Sequence, residues 1–381
     1  MDCIIMGGEV LLPSGCFERR DVGIAGGCIV DPAKLQHSVT GVERIDAAGA
    51  CVLPGMIDIH GDAFERDVSP RPGVTFPLDM ALRAVDRQLL ANGITTAFHG
   101  LTVSWEPGIR SETSFVRFLA VLAEQRSRLR ADHRVQVRWE TFALDAMEAV
   151  EKSLAAEPKP ILAFNDHTTS TLQKRAAGTL KKLGEWASRA GVTPEAYLAL
   201  VDQAATRAAD VPAAIERVAA QARSSGVVLL SHDVRSVEER REWRALGCTV
   251  SEFPLVMEAA SDARSAGEHV VLGAPNVVRG GSHTGALSAE EAIRTGLCTV
   301  LASDYHYPCM LEAVSMLVAR DVLPLDEAWA LVSSNVAAAT GLGDRGLIAD
   351  GMRGDLVIAR QTKGQRIEID AVFAAGRLTR Y

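Results

Sequence analysis

The chain has 381 residues, 48% hydrophobic and 23% charged, with a formal net charge of −8. The composition is that of an ordinary globular protein and nothing in it points to disorder, and the length predicts a large domain plus a smaller one. The acidic balance also argues against a broad nucleic-acid surface, gives no reason for binding a membrane surface, and means that a polyanionic ligand needs local cations.

No apolar run reaches the length of a membrane span. The opening MDCIIMGGEV lacks a charged segment followed by a long apolar one, so no secretory signal is expected. Seven scattered cysteines without a C-x-x-C pair imply reduced thiols in a cytoplasmic protein.

The first fifty residues read as short strands between glycine and proline turns, with Val22 to Ile24 and Cys28 to Val30 flanking Gly26-Gly27 as a hairpin. The C-terminus resumes this style at Asp355 to Ala359 and at Ile367 to Phe373. Both ends are therefore expected to pair in one small β-sandwich built from residues 1–52 and 345–381, with residues 53–344 inserted between them.

The inserted segment opens with Met56 to Ile59, a buried strand that ends on His60-Gly61-Asp62. The i, i+2 spacing puts the imidazole and the carboxylate on one side of an extended backbone. Gly61 between them offers close approach to the backbone. One nitrogen and one oxygen ligand suit a divalent cation, although an H-x-D taken alone is more often a buried histidine beside a turn-capping aspartate.

Strands and helices then alternate. Leu78, Leu82, Val85 and Leu89 recur at helical spacing before the stop at Asn92-Gly93. Ile94 to Phe98 is a strand ending at His99, and a helix from about Ser111 to Arg130 leads to the strand Arg134 to Glu140. The strand Pro160 to Phe164 ends on Asn165-Asp166-His167, Gly226 to Ser231 ends on His232, and Cys248 to Phe253 carries Glu252. Ser288-Ala-Glu-Glu291 is a capping box before Cys298 to Ala302, which ends on Ser303-Asp304. Leu172 to Arg223 is a long Ala-rich helical region that covers the site or contacts a second copy of the chain.

Repeated strand-then-helix units, roughly eight, predict an α/β fold of the (β/α)8 TIM-like barrel type. A barrel gathers its strand ends on one face, so His60, Asp62, Glu140, His167, His232 and Asp304 are expected to share a pocket. Each alone has an ordinary structural explanation; their joint placement at strand ends does not.

With these residues assembled, the chain resembles the amidohydrolase superfamily. The matching features are PGMIDIHGD, Glu140, His167, His232 and LASDY with Asp304, together with the exit string SSNVAAATGLGDRGLIADGMRGDLVIA. The strings HGDAFERDVSPRPGVTF, GAPNVVRGGSHTG, LASDYHYPCML, FNDHT and SHD are similar to those of the phosphonate metabolism protein M family. That resemblance implies an α-D-ribose 1-methylphosphonate 5-triphosphate diphosphatase of the carbon–phosphorus lyase pathway. It implies one or two divalent metal ions, zinc first and manganese or iron next. His60 and Asp62 would hold one ion and His167 and His232 the other, with Glu140 bridging and Asp304 orienting the attacking water and taking its proton.

For a triphosphate, the resemblance directs attention to Arg71 in Ser69-Pro-Arg-Pro-Gly73, to Arg279 and His283 in Arg279-Gly-Gly-Ser-His283, and to Asn276 as substrate contacts. Glu65 and Arg66 are expected to orient the ligands. The partner expected is a phosphorylated small molecule, with a homo-oligomer and with neither nucleic acid nor membrane. The sequence departs from the family at Asp166 to Thr171, where a longer DHTPGQ-like string is usual, at His99 in place of an aspartate, and at Asn335-Val336, where proline is the common second residue. An amidohydrolase acting on a cyclic amide or N-acyl group is the alternative reading, and a non-catalytic scaffold that kept the barrel is the third.

Overall fold

The computed structural model describes residues 2–36, 41–281, 287–362 and 366–381. Eight parallel strands run in the order of the sequence: Met56–Gly61, Ile94–Val103, Asp132–Glu140, Ile161–Asn165, Leu229–His232, Cys248–Glu252, His269–Gly273 and Val300–Ala302. They are called barrel strands one to eight below. Helices cross over between them and pack outside, as parallel neighbours require. The sheet closes where Gly61 bridges Asp304 in parallel, with Asp304 N–H donating to His60 O and Asp62 N–H to Asp304 O, both at 2.9 Å.

The interior of the barrel is filled by Ile57, Ile59, Phe98, Ile161, Leu230, Val250, Val271 and Val300. It is a packed core and not a pore. Functional groups are therefore confined to the mouth, where the strands end.

Strand two runs from Ile94 to Val103, five residues beyond the expected end at Phe98. Strand seven, His269–Gly273, has no counterpart in the sequence pattern: its apolar core Val270 to Leu272 stands directly before the GAPNVVRGG string and ends on no titratable residue. The capping box at Ser288 forms, with its hydroxyl accepting from Glu291 N–H. The Leu172 to Arg223 region becomes a succession of helices between strands four and five.

The two chain ends build a separate, mostly antiparallel eight-stranded sheet. Its halves meet where Leu356–Gln361 pairs antiparallel with Cys51–Pro54, Leu356 facing Pro54 and Ala359 facing Cys51. Phe17–Ala25 and Cys28–Val30 form the expected hairpin around Gly26-Gly27. Cys3, Ile5, Val10, Ile24, Leu356 and Phe373 give this sheet its own apolar cluster. Buried Arg345 ties it to the barrel, donating to Thr96 Oγ1 and Asp132 Oδ2 at 2.8 Å each.

Barrel closure rests on Asp58. Its Oδ1 accepts from Ser303 N–H at 3.0 Å and its Oδ2 from Ser303 Oγ–H at 2.6 Å, fully buried between strands one and eight. Burial pushes its carboxyl up, and the bonds from Ser303 and His60 work against that. The expected reason for Gly61 changes here. A Cβ at Gly61 would meet Asp58 Oδ2 at 2.5 Å and Ser303 Oγ at 3.0 Å, so glycine is required by this closure and not by a ligand's approach. Replacing Ser303 by alanine deprives buried Oδ2 of its donor and should destabilise the fold by about 1–3 kcal/mol. Urea unfolding should report this as a lower midpoint with an unchanged slope.

Candidate metal centre and cleft

Two imidazoles and a carboxylate define the floor of the mouth. Strand six ends at Glu252, fully buried and opposite strand one. Its Oε1 lies 3.0 Å from His60 Nδ1 and its Oε2 lies 2.7 Å from His232 Nδ1. A carboxylate only accepts, so each ring donates from Nδ1, and in its neutral form keeps the Nε2 lone pair for another partner. Gln136 of strand three also donates its amide to Glu252 Oε1 at 2.5 Å. Burial alone would raise the Glu252 carboxyl, yet the charge on His60 and the bonds from both imidazoles hold it well below the usual carboxylate range. Burial lowers both imidazoles. At His60 the Glu252 charge and hydrogen bond, joined by the Asp62 charge, together outweigh it and the shift is upward, whereas at His232 burial prevails.

The His60 and His232 rings stack with centroids 5.8 Å apart. Phe253 stands edge-on to both, at 5.0 and 5.5 Å. Phe253, Asp233 and Asp304 all take positive φ, at 50°, 56° and 56°. For non-glycine residues, and for a phenylalanine above all, this is strained backbone held in place by its surroundings. All three follow directly on the ends of barrel strands six, five and eight or lie two residues beyond, so the strain is concentrated at the mouth.

Two groups of residues offer metal-binding atoms within 4.8 Å of one another: His60, His232 and Glu252, and His60, Asp62 and Asp304. They share His60. Burial, then the charge of Asp62, pushes the Asp304 carboxyl up to about 6. Arg138 projects from strand three between them, its Nη1 3.5 Å from Asp62 Oδ2 and its Nη2 3.3 Å from His232 Nε2. Guanidinium can only donate, so His232 Nε2 is the acceptor, in keeping with the neutral ring. The donor set fits a divalent cation: His60 brings a ring nitrogen together with the carboxylates of Asp62 and Asp304, and Glu252, by accepting from Nδ1, directs that ring to ligate through Nε2.

The other expected residues fall as follows. Glu140 and His167 sit beside this cluster, with the His167 and His232 ring centroids 6.4 Å apart. Glu140 is occupied by its own partners: Oε2 accepts from His167 N–H at 2.9 Å and lies 3.1 Å from His167 Nδ1, while Oε1 accepts from Thr168 N–H and Oγ–H. It belongs to neither metal-capable group among the described residues. Arg279 and Asn276 line the cleft, but the Asn276 amide donates to Leu287 O and accepts from Ala289 N–H, which fixes the loop backbone. Arg71 is exposed in a turn closed by Val74 N–H and does not line the cleft. His283 lies outside the described residues.

Glu65, expected to orient a ligand, instead forms a two-pronged pair with buried Arg110 at 2.9 Å on both arms. Arg66 lies over the Tyr305 ring at 5.8 Å. His99 faces outward, between Phe64 and Phe118, and contacts His133 Nδ1 at 2.8 Å, with His133 in turn 3.1 Å from Asp86. It belongs to the barrel–helix layer and not to the mouth. The sequence pattern puts Glu252 at a strand end without giving it a role, and it gives no sign of Arg138, Lys174 and Arg235, which line the cleft.

The chain belongs to the amidohydrolase family, whose sequence pattern matches residues 77–375. Over 342 residues it is 33% identical to the alpha-D-ribose 1-methylphosphonate 5-triphosphate diphosphatase of Escherichia coli K12, a match covering 88% of this chain and 89% of that protein. Among solved structures, a beta-aspartyl dipeptidase from Fervidobacterium islandicum AW-1 aligns with a TM-score of 0.62 at 16% identity, over 100% of this chain and 97% of the other. A triazine hydrolase variant aligns at 0.66 and 15% identity, over 99% and 94%. At these identities the two structures establish the shared fold. Among the described residues no helix is long and apolar enough to cross a membrane.

Two outcomes follow from this geometry. Glu252→Gln keeps the shape but cannot accept from both Nδ1–H groups equally, so metal affinity should fall about 10- to 100-fold, read by chelator competition. Burial, then the neighbouring His133 charge, lowers His99 well below its ordinary value of 6.5. The unfolded chain takes up that proton and the folded one does not, so stability should fall as pH drops through the unfolded value. Histidine NMR should show the His99 ring still neutral at about pH 5.5.

Proposed function

We propose that the protein is a metal-dependent hydrolase that cleaves α-D-ribose 1-methylphosphonate 5-triphosphate to the 5-phosphate and diphosphate in phosphonate catabolism. The observation that carries this reading is the 33% identity, sustained over 88% of the chain, to a diphosphatase of that substrate. The chemistry of the cleft supports it, since carboxylates able to take a proton stand beside guanidinium and ammonium groups able to hold phosphate.

In this reading His60, Asp62, His232 and Asp304 hold the cation, and a second ion at Glu140 and His167 would have to displace Glu140 from its bonds to His167 and Thr168. Zinc suits the imidazole and carboxylate donors best, and manganese or iron is compatible. The bound cation supplies positive charge to the phosphoryl oxygens and makes water more acidic. Asp304 takes the proton of the attacking water, a role suited to a carboxyl pushed up to about 6, which is ionised at neutral pH and more basic than an ordinary aspartate. The water oxygen bonds to the α-phosphorus. The bond from that phosphorus to the bridging oxygen breaks, and its electron pair leaves with diphosphate. Arg138 reaches Asp62 and His232 from strand three and contributes charge at the floor, and a cation ligated by His232 Nε2 would take the lone pair that Arg138 holds.

Hydrolysis of a cyclic amide or N-acyl bond is the competing reading on the same fold. It gives no task to the cations at the mouth. Metal-loaded protein given the triphosphate should release diphosphate and the 5-phosphate in equal amounts. Turnover of dihydroorotate or N-acyl amino acids with no diphosphate formed would overturn the assignment. His232→Ala should lower metal content and turnover together.

A further inference from the structure

On the reading above, we infer that Lys174, Arg235 and Arg279 form an open anion cradle at the rim of the cleft for the two phosphoryl groups that leave as diphosphate. The three come from different parts of the barrel: the helix His167–Ala176 after strand four, the loop after strand five, and the helix Ala274–Arg279 after strand seven. All three line the same cavity of about 580 Å³, together with Asp304 and His60 at its floor, a size within the usual range for a small-molecule site.

All three are exposed at the rim, and their pairing sets them apart from the arginines that hold the fold together. Arg110, Arg189, Arg240, Arg244 and Arg345 are each held by a carboxylate. Among the described residues no carboxylate lies within ion-pair distance of Lys174, Arg235 or Arg279. Lys174 Nζ rests over the Trp186 ring at 5.8 Å, and Arg279 Nη1 reaches the Tyr305 hydroxyl at 3.4 Å. In a chain of net charge −8, three cations with no ion-pair partner gathered around one opening attract an anion there, with Asp233 on the same rim and Asp166 near Arg235 as the nearest opposing charges. The floor, with Arg138 engaged by Asp62 and His232, keeps the scissile phosphorus near Asp304. The outer phosphates then extend toward the rim. Selection thus falls on the polyphosphate tail.

The test uses metal-loaded protein, inorganic triphosphate as a competitive inhibitor, and free metal held constant. Lys174→Met and Arg235→Met each remove one charge-assisted hydrogen bond to phosphate, and each should weaken triphosphate inhibition and raise KM about tenfold. KM should rise more than kcat falls, metal content should match the wild type, and the effects should shrink at high salt. Folded variants with inhibition and KM within about twofold of wild type, or with reduced metal content, would overturn the cradle. If the wild type binds triphosphate, the variants bind it less well and no diphosphate is ever released, the cradle stands and the proposed reaction falls. If diphosphate is released but the variants are unaffected, the reaction stands and the cradle falls.

Discussion

The shared carboxylate of Glu252 organises the mouth of this barrel. It receives one imidazole from strand one and one from strand five, so it spans the opening and fixes the protonation pattern of both rings in a single arrangement. Burying a carboxylate without partners would cost several kcal/mol. Here the two Nδ1–H groups and the Gln136 amide offset that cost, which means that removing any one of them weakens the others. With Nδ1 engaged, each ring has Nε2 left to ligate, and His60 stands in one cation-sized group with Asp62 and Asp304.

That arrangement depends on closure of the sheet. Asp58 and Ser303 bolt strand one to strand eight directly beneath Asp62 and Asp304, and Gly61 exists because no Cβ fits against Asp58 there. The hydrogen bonds that complete the barrel also run through the backbone of His60, Asp62 and Asp304. Fold stability and ligand placement are consequently coupled at this seam. The positive φ at Asp233, Phe253 and Asp304 is the strain such placement demands.

Much of this is legible in the sequence, for definite reasons. Residues at strand ends can be read because apolar runs stop abruptly at His60, Glu140, His232, Glu252 and Asp304, and a parallel barrel puts all such ends on one face. The Gly26-Gly27 hairpin and the Ser288 cap are local signals, and they form as local rules require. What escapes depends on facing and on distance along the chain. His99 belongs to a strand that continues to Val103, and the alternation of that strand turns it away from the interior. Glu252 has a role only when strand six is known to stand across from strand one. Strand seven has an apolar run no shorter than that of strand eight, but it ends on Gly273-Ala274 with no titratable residue to mark the strand end. Lys174 and Arg235 lie past the strand ends, within a helix and a loop where a charged residue ordinarily means a solvated face. Arg138 reads as one more polar residue of a strand until its inward row, Gln136, Arg138 and Glu140, is seen to line the barrel beneath the cleft.

The central claim is that Glu252 builds a cation site from His60, Asp62, His232 and Asp304, and anomalous diffraction from crystals of the metal-loaded protein tests it most directly. The account predicts a peak about 2.0–2.2 Å from the Nε2 atoms of His60 and His232 and within ligand distance of Asp304, with both Nδ1 atoms still on Glu252. A peak confined to Glu140 and His167, or imidazoles ligating through Nδ1 with Glu252 displaced, would contradict it.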